Sequence, residues 1–139
     1  DKGIDLKKGL YVRMYGEFNK KSGLARIEPG KLGLVAGPKV LLWEDINIGS
    51  LGKAKNADVF YFTREKFNEP TNFYITNSSL ANPKKVTENA PDFGKYSWSS
   101  GTRLVDYISE KGDTLQAALF LPAGYVEGKK YPTVIYYYE

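Results

Sequence analysis

The 139 residues contain no histidine and no cysteine, and that removes several kinds of chemistry at once. A Ser-His-Asp triad, a histidine general base, a histidine metal ligand and a thiolate nucleophile each need one of those two side chains. Aspartate, glutamate, lysine and tyrosine remain as acid–base groups, but no spacing sets a pair of them apart. Gly30–Gly37, GKLGLVAG, carries glycines without the spacing of a phosphate-binding loop, and no helical pattern follows it. Asp45–Ser50, DINIGS, begins like a calcium loop. Its sixth position is Ser50 where the sharp turn needs glycine, and its twelfth is Asn56 where a bidentate glutamate is needed. Asn77-Ser78-Ser79 fits the N-glycosylation sequence, which places that loop on the surface. Trp43, Trp98 and the tyrosines could stack on sugars or bases, yet cross-strand aromatic packing accounts for them without a ligand. No cofactor and no metal are expected from this set of residues.

Side chains act only where backbone elements hold them, and the composition points to β structure. Aromatic residues make up 14% of the chain, which favours strands. Fourteen glycines and seven prolines break it into short apolar runs, the pattern of an all-β chain. The net charge of +4 comes from lysine pairs scattered along the sequence, such as Lys7-Lys8 and Lys84-Lys85. That is a solvated surface rather than a nucleic-acid footprint. No run approaches the roughly twenty apolar residues that cross a bilayer as a helix, so no membrane partner is expected. The opening DKGIDLKKG lacks the apolar centre of a signal peptide, so either none exists or it has been removed.

Gly9–Glu17 alternates Leu10, Val12 and Met14 against Tyr11, Arg13 and Tyr15, which predicts a strand with the aliphatic face inward and the tyrosines outward. Ser22–Ile27 is the candidate return strand, closed by the turn signal Pro29-Gly30. Val40–Glu44 reads as another strand. Val59–Thr63 and Phe73–Thr76 predict an antiparallel pair joined by a long loop containing Pro70, with a short edge strand near Val86-Thr87. Arg103–Pro122 is the best-defined hairpin, turning at Glu110–Asp113 where Gly112 can supply a positive φ. Pro132 then opens an apolar run, Thr133–Tyr138, that reads as a strand covered on both faces and as an odd place for a domain to finish. No helical periodicity is sustained over a dozen residues.

The last forty residues add a resemblance. Tyr107, Ser109, Gly112, Leu115, Ala117, Leu119, Pro122, Tyr125, Gly128, Lys129, Tyr131 and Pro132 stand in an order and spacing similar to prolyl-oligopeptidase-family serine peptidases. The similar stretch is the one in which the chain leaves a β-propeller and enters an α/β-hydrolase domain. Upstream, residues 57–91 resemble a propeller-blade strand pair. The resemblance implies a mainly β fold, with antiparallel propeller-like blades over 1–100 and the first strands of a truncated α/β-hydrolase sheet over 101–139. It implies part of a secreted or periplasmic-type serine peptidase that hydrolyses peptide bonds through an acyl-enzyme, its triad lying beyond Glu139. Tyr138 falls where that family has a tyrosine donor to the oxyanion hole, although Glu139 follows where small residues and a proline are usual. The implied partners are a peptide substrate and either the remainder of the chain or another copy pairing with residues 133–138. The alternative is a self-contained β-rich binding or surface module without catalytic activity.

Overall fold

A computed structural model of the chain describes residues 5–30, 37–90 and 92–137. Among them there is no α-helix; the helical content is two 3-10 turns, Leu6–Lys8 and Phe93–Lys95. The chain forms two compact units, Asp1–Phe93 and Gly94–Glu139. Both are built from antiparallel strands.

The first unit holds two sheets. In one, β1 (Leu10–Tyr15), β2 (Ser22–Ile27) and β3 (Lys39–Glu44) form a meander in the order β1-β2-β3. The other runs β4-β6-β7-β8, built from β4 (Asn47–Ile48), β6 (Phe60–Lys66), β7 (Glu69–Thr76) and β8 (Lys84–Lys85), with β5 (Gly52–Lys53) also pairing with β6. Phe62, Leu24, Ile48 and Leu80 are fully buried between them with Phe60. Burying each such aliphatic or aromatic side chain contributes about 1.5–3 kcal/mol. β2 is the most enclosed strand, because Gly23 lets β3 approach closely. A Cβ at Gly23 would overlap the carbonyl oxygen of Leu42 and the ring of Trp43.

β1, β2, β3, β6 and β7 overlap the strands expected from the sequence, and two details depart from it. Tyr11 is turned inward, packing on the core with its ring 4.8 Å from that of Phe60. An aromatic ring can enter a core when its hydroxyl finds a partner, and Tyr11 donates to the Ser78 carbonyl at 2.7 Å. The predicted long loop between β6 and β7 is instead a two-residue turn, because Lys66 pairs with Glu69. Pro70 therefore lies within β7. A register shift between Arg64 and Lys66 spares its missing N–H from the ladder.

The Asn77–Leu80 turn is pinned from several sides. Ser78 donates to both carboxylate oxygens of Asp58, and Leu80 N donates to the Asn77 carbonyl at 3.0 Å. That network holds Leu80 at φ 55, a conformation costly for a branched-chain residue, while its side chain is fully buried. Core burial offsets the backbone cost.

In the second unit β9 (Thr102–Ile108) and β10 (Thr114–Phe120) form the hairpin expected from the sequence. Gly112 turns it at φ 87, and Ser109 N bonds the Asp113 carbonyl at 2.9 Å. Nearly every side chain of this hairpin is exposed, including Leu104, Val105, Tyr107, Ile108 and Phe120.

The expected final strand is not formed over its described residues. Thr133–Tyr137 joins no strand ladder among the described residues, and Val134 is 95% exposed. A β-branched, aromatic run becomes a sheet strand only when neighbours supply ladder partners and cover. The start of an α/β-hydrolase sheet, expected over 101–139, is thus absent from the described residues: β9 and β10 make a two-stranded antiparallel ribbon, with no helix.

Candidate functional site

The first unit carries a cavity of about 280 Å³ lined by Tyr11, Val12, Arg13, Leu24, Ser50 and Leu51. Its walls come from one strand edge, one core strand and one connection. Tyr11, Val12 and Arg13 are successive residues of β1, Leu24 is the buried centre of β2, and Ser50-Leu51 connects β4 to β5. Val12, Leu24 and Leu51 are its apolar lining residues. Arg13 and Ser50 are the polar part, since the Tyr11 hydroxyl is already spent on Ser78.

Arg13 is held by a chain of polar contacts that crosses from one sheet to the other. Its Nη2 donates to Asn47 Oδ1 at 2.8 Å, and Asn47 Nδ2 donates to Glu65 Oε1 at 2.6 Å. Thr71 Oγ1 donates to the other Glu65 oxygen. Hydrogen bonds from Thr71 and Asn47 hold the Glu65 carboxyl below its usual range, with the Arg13 charge adding to them and burial opposing. Glu65 is thereby kept ionised, and Asn47 is oriented with its oxygen toward Arg13. A second arginine, Arg64, pairs with Glu44 and lies over the Tyr74 ring at 4.8 Å. That pairing ties β3 to β6 and β7, while the buried Arg64 Nε makes no hydrogen bond.

The sequence had directed attention elsewhere. Asp45–Ser50, which starts like a calcium loop, contains strand β4, with Ile48 fully buried. Among the described residues no group of three acidic side chains comes together as a metal site. Residues 31–36 of the glycine-rich stretch lie outside the described residues, as does Tyr138. Asn77 is exposed as its motif suggested, and its Oδ1 accepts from both the amide and the hydroxyl of Ser79, at 3.0 and 2.5 Å. Arg13, Ser50 and their supports carry no local motif. Only the alternation of β1 hinted that Arg13 projects from a strand, and its partner Asn47 is 34 residues away.

No family model and no curated protein matches the sequence. Among solved structures, the chain is similar to a serine-to-alanine variant of the AtxE2 isopeptidase with Astexin3-dC4 bound. The identity is 15% and the TM-score 0.62, over 94% of this chain. That likeness is one of fold, and this chain spans 19% of the isopeptidase's length. The resemblance to the prolyl oligopeptidase family is not upheld. No model of that family matches, and among the described residues the part assigned to its hydrolase domain is an all-β hairpin followed by a segment that joins no sheet.

Proposed function

We propose that this chain is a substrate-facing β portion of a peptide-bond-hydrolysing protein, with the nucleophile and its base on residues other than these 139. The observation that carries the reading is the superposition of nearly the whole chain on part of an isopeptidase whose structure holds Astexin3-dC4. The absence of histidine and cysteine agrees with it, because an acyl-enzyme route needs a base to take the nucleophile's proton. In this reading cleavage proceeds through a serine acyl-enzyme. Residues 1–100 serve as propeller-like blades that contact peptide, a role favoured by the meander order β4-β6-β7-β8. Residues 101–139 lay their exposed apolar side chains against the remainder of a longer protein.

Tyr138 is this chain's proposed contribution to the chemistry, as a hydroxyl donor to the tetrahedral oxyanion. Removing one such donor costs about 10²–10³ in kcat, so Tyr138→Phe in the full-length protein should lower kcat by that order and leave KM little changed. Unaltered kcat removes Tyr138 from the chemistry.

The broader reading is tested with a fluorophosphonate probe and a set of apolar peptides. The full-length protein should be labelled at a serine outside these residues and should cleave peptide, while the isolated chain should do neither. A full-length protein that is neither labelled nor active would instead leave a β-rich binding module.

A further inference from the structure

We infer that the cavity lined by Val12, Arg13, Leu24, Ser50 and Leu51 binds a carboxylate attached to a small apolar group, with Arg13 taking the charge. Its identification with the carboxylate end of an apolar peptide rests on the proposed function; the binding itself does not.

Three observations converge on this ligand chemistry. The volume, about 280 Å³, sits at the low end of small-molecule sites, roughly 300–1,000 Å³. That suits one amino-acid residue with its terminal groups rather than a long segment. The lining residues are of two kinds, with Leu24 and Leu51 among the apolar ones and Arg13 and Ser50 carrying side-chain donors. The third observation is the state of Arg13 itself. A guanidinium has five N–H donors in a rigid fork suited to a carboxylate. Among the described residues Arg13 makes one hydrogen bond, to Asn47, and Ser50 makes none through its hydroxyl. Asn47 is neutral, so the arginine's charge is oriented without being neutralised by direct contact. The carboxylate of the chain, Glu65, is one residue further away and already accepts from Asn47 and Thr71.

The polar chain therefore acts as a mount. Thr71 and Glu65 fix Asn47, and Asn47 fixes Arg13 with its other N–H groups left for a ligand. Asn47 is a positioning residue and Arg13 the contact residue. Arg64 offers a contrast in the same unit: its charge is paired directly with Glu44 and covered by two rings, and its unpartnered Nε is buried.

The test uses the 139-residue chain, isotopically labelled for amide NMR, titrated with N-acetyl-leucine and separately with N-acetyl-leucine amide. The acid should shift the amides of Val12, Arg13, Ser50 and Leu51 and bind at least tenfold more tightly than the amide. Arg13→Gln should abolish that selectivity while the dispersed spectrum shows an intact fold. Asn47→Ala should weaken the acid several-fold and leave binding of the amide unchanged, which a merely structural role would not do. Equal binding of the two probes, shifts confined to other residues, or no binding of the acid each overturns the site. Probe labelling of the full-length protein answers the functional question separately. Acid-selective binding without labelling retires the peptidase reading and keeps the cavity, and labelling without such binding does the reverse.

Discussion

Single side chains decide how the cavity is held and what it can accept. Glu65 has a folded-state pKa below the ordinary value of about 4.5, so its ionised form stabilises the native state. That stabilisation is complete above the ordinary value and is lost as pH falls through the lowered one. Glu65→Gln should flatten the decline in stability below about pH 4.5 relative to the parent chain, measured by urea midpoints at several pH values. An unchanged slope would show that Glu65 does not stiffen the Arg13 mount. Gly23→Ala should cost more than about 2 kcal/mol in the same measurement, because overpacking against a backbone oxygen is not relieved by a rotamer change. A midpoint within error of the parent would mean β3 yields there. Little of this scale was legible beforehand. Arg13 looked like one polar residue in an alternating strand, and Asn47 belonged to a stretch that reads as a failed calcium loop. Hydrogen bonds between residues 18 to 34 positions apart leave no mark in a local pattern.

The elements were better written in the sequence wherever turn chemistry and alternation agreed. Ser22–Ile27 and the β9–β10 hairpin with its Gly112 turn formed where those signals placed them. Gly112→Ala should cost about 1–2 kcal/mol, since an L-residue resists φ 87, and a negligible cost would mean the turn changes type. Pro70 misled, because proline reads as loop, yet a bulged ladder accommodates it inside β7. Asn72 explains how β7 keeps its neighbours. It is 4% exposed, its Oδ1 accepts from Thr87 Oγ1 and Asn89 N, both at 3.0 Å, and its Nδ2 donates to the Pro70 carbonyl. Removing a buried partner leaves donors unsatisfied at about 1–3 kcal/mol. Asn72→Ala should therefore destabilise by that amount and raise amide exchange at Asn89 first, whereas exchange rising uniformly would assign Asn72 to the core rather than to this strap. Over its described residues, Thr133–Tyr137, the last run failed as a strand for the complementary reason: propensity was present, and neighbouring strands were not.

At the scale of the whole molecule, the two units differ in how well they cover their apolar residues. The first has a sealed cluster of Leu24, Ile48, Phe60, Phe62 and Leu80. The second has no such cluster among the described residues and exposes Tyr107, Ile108, Phe120, Val134 and Ile135. Replacing Val134 and Ile135 together by Asp should reduce self-association of the isolated chain, read by sedimentation, without altering the amide spectrum of residues 5–90. The central functional proposal is that these residues hold peptide while others break it. It is tested most directly by incubating the isolated chain with a short apolar peptide bearing a free carboxylate, following binding by NMR and the peptide by mass spectrometry. Saturable, Arg13-dependent binding with the peptide recovered intact is the predicted result; peptide cleaved by this chain alone, or peptide left unbound, would contradict it.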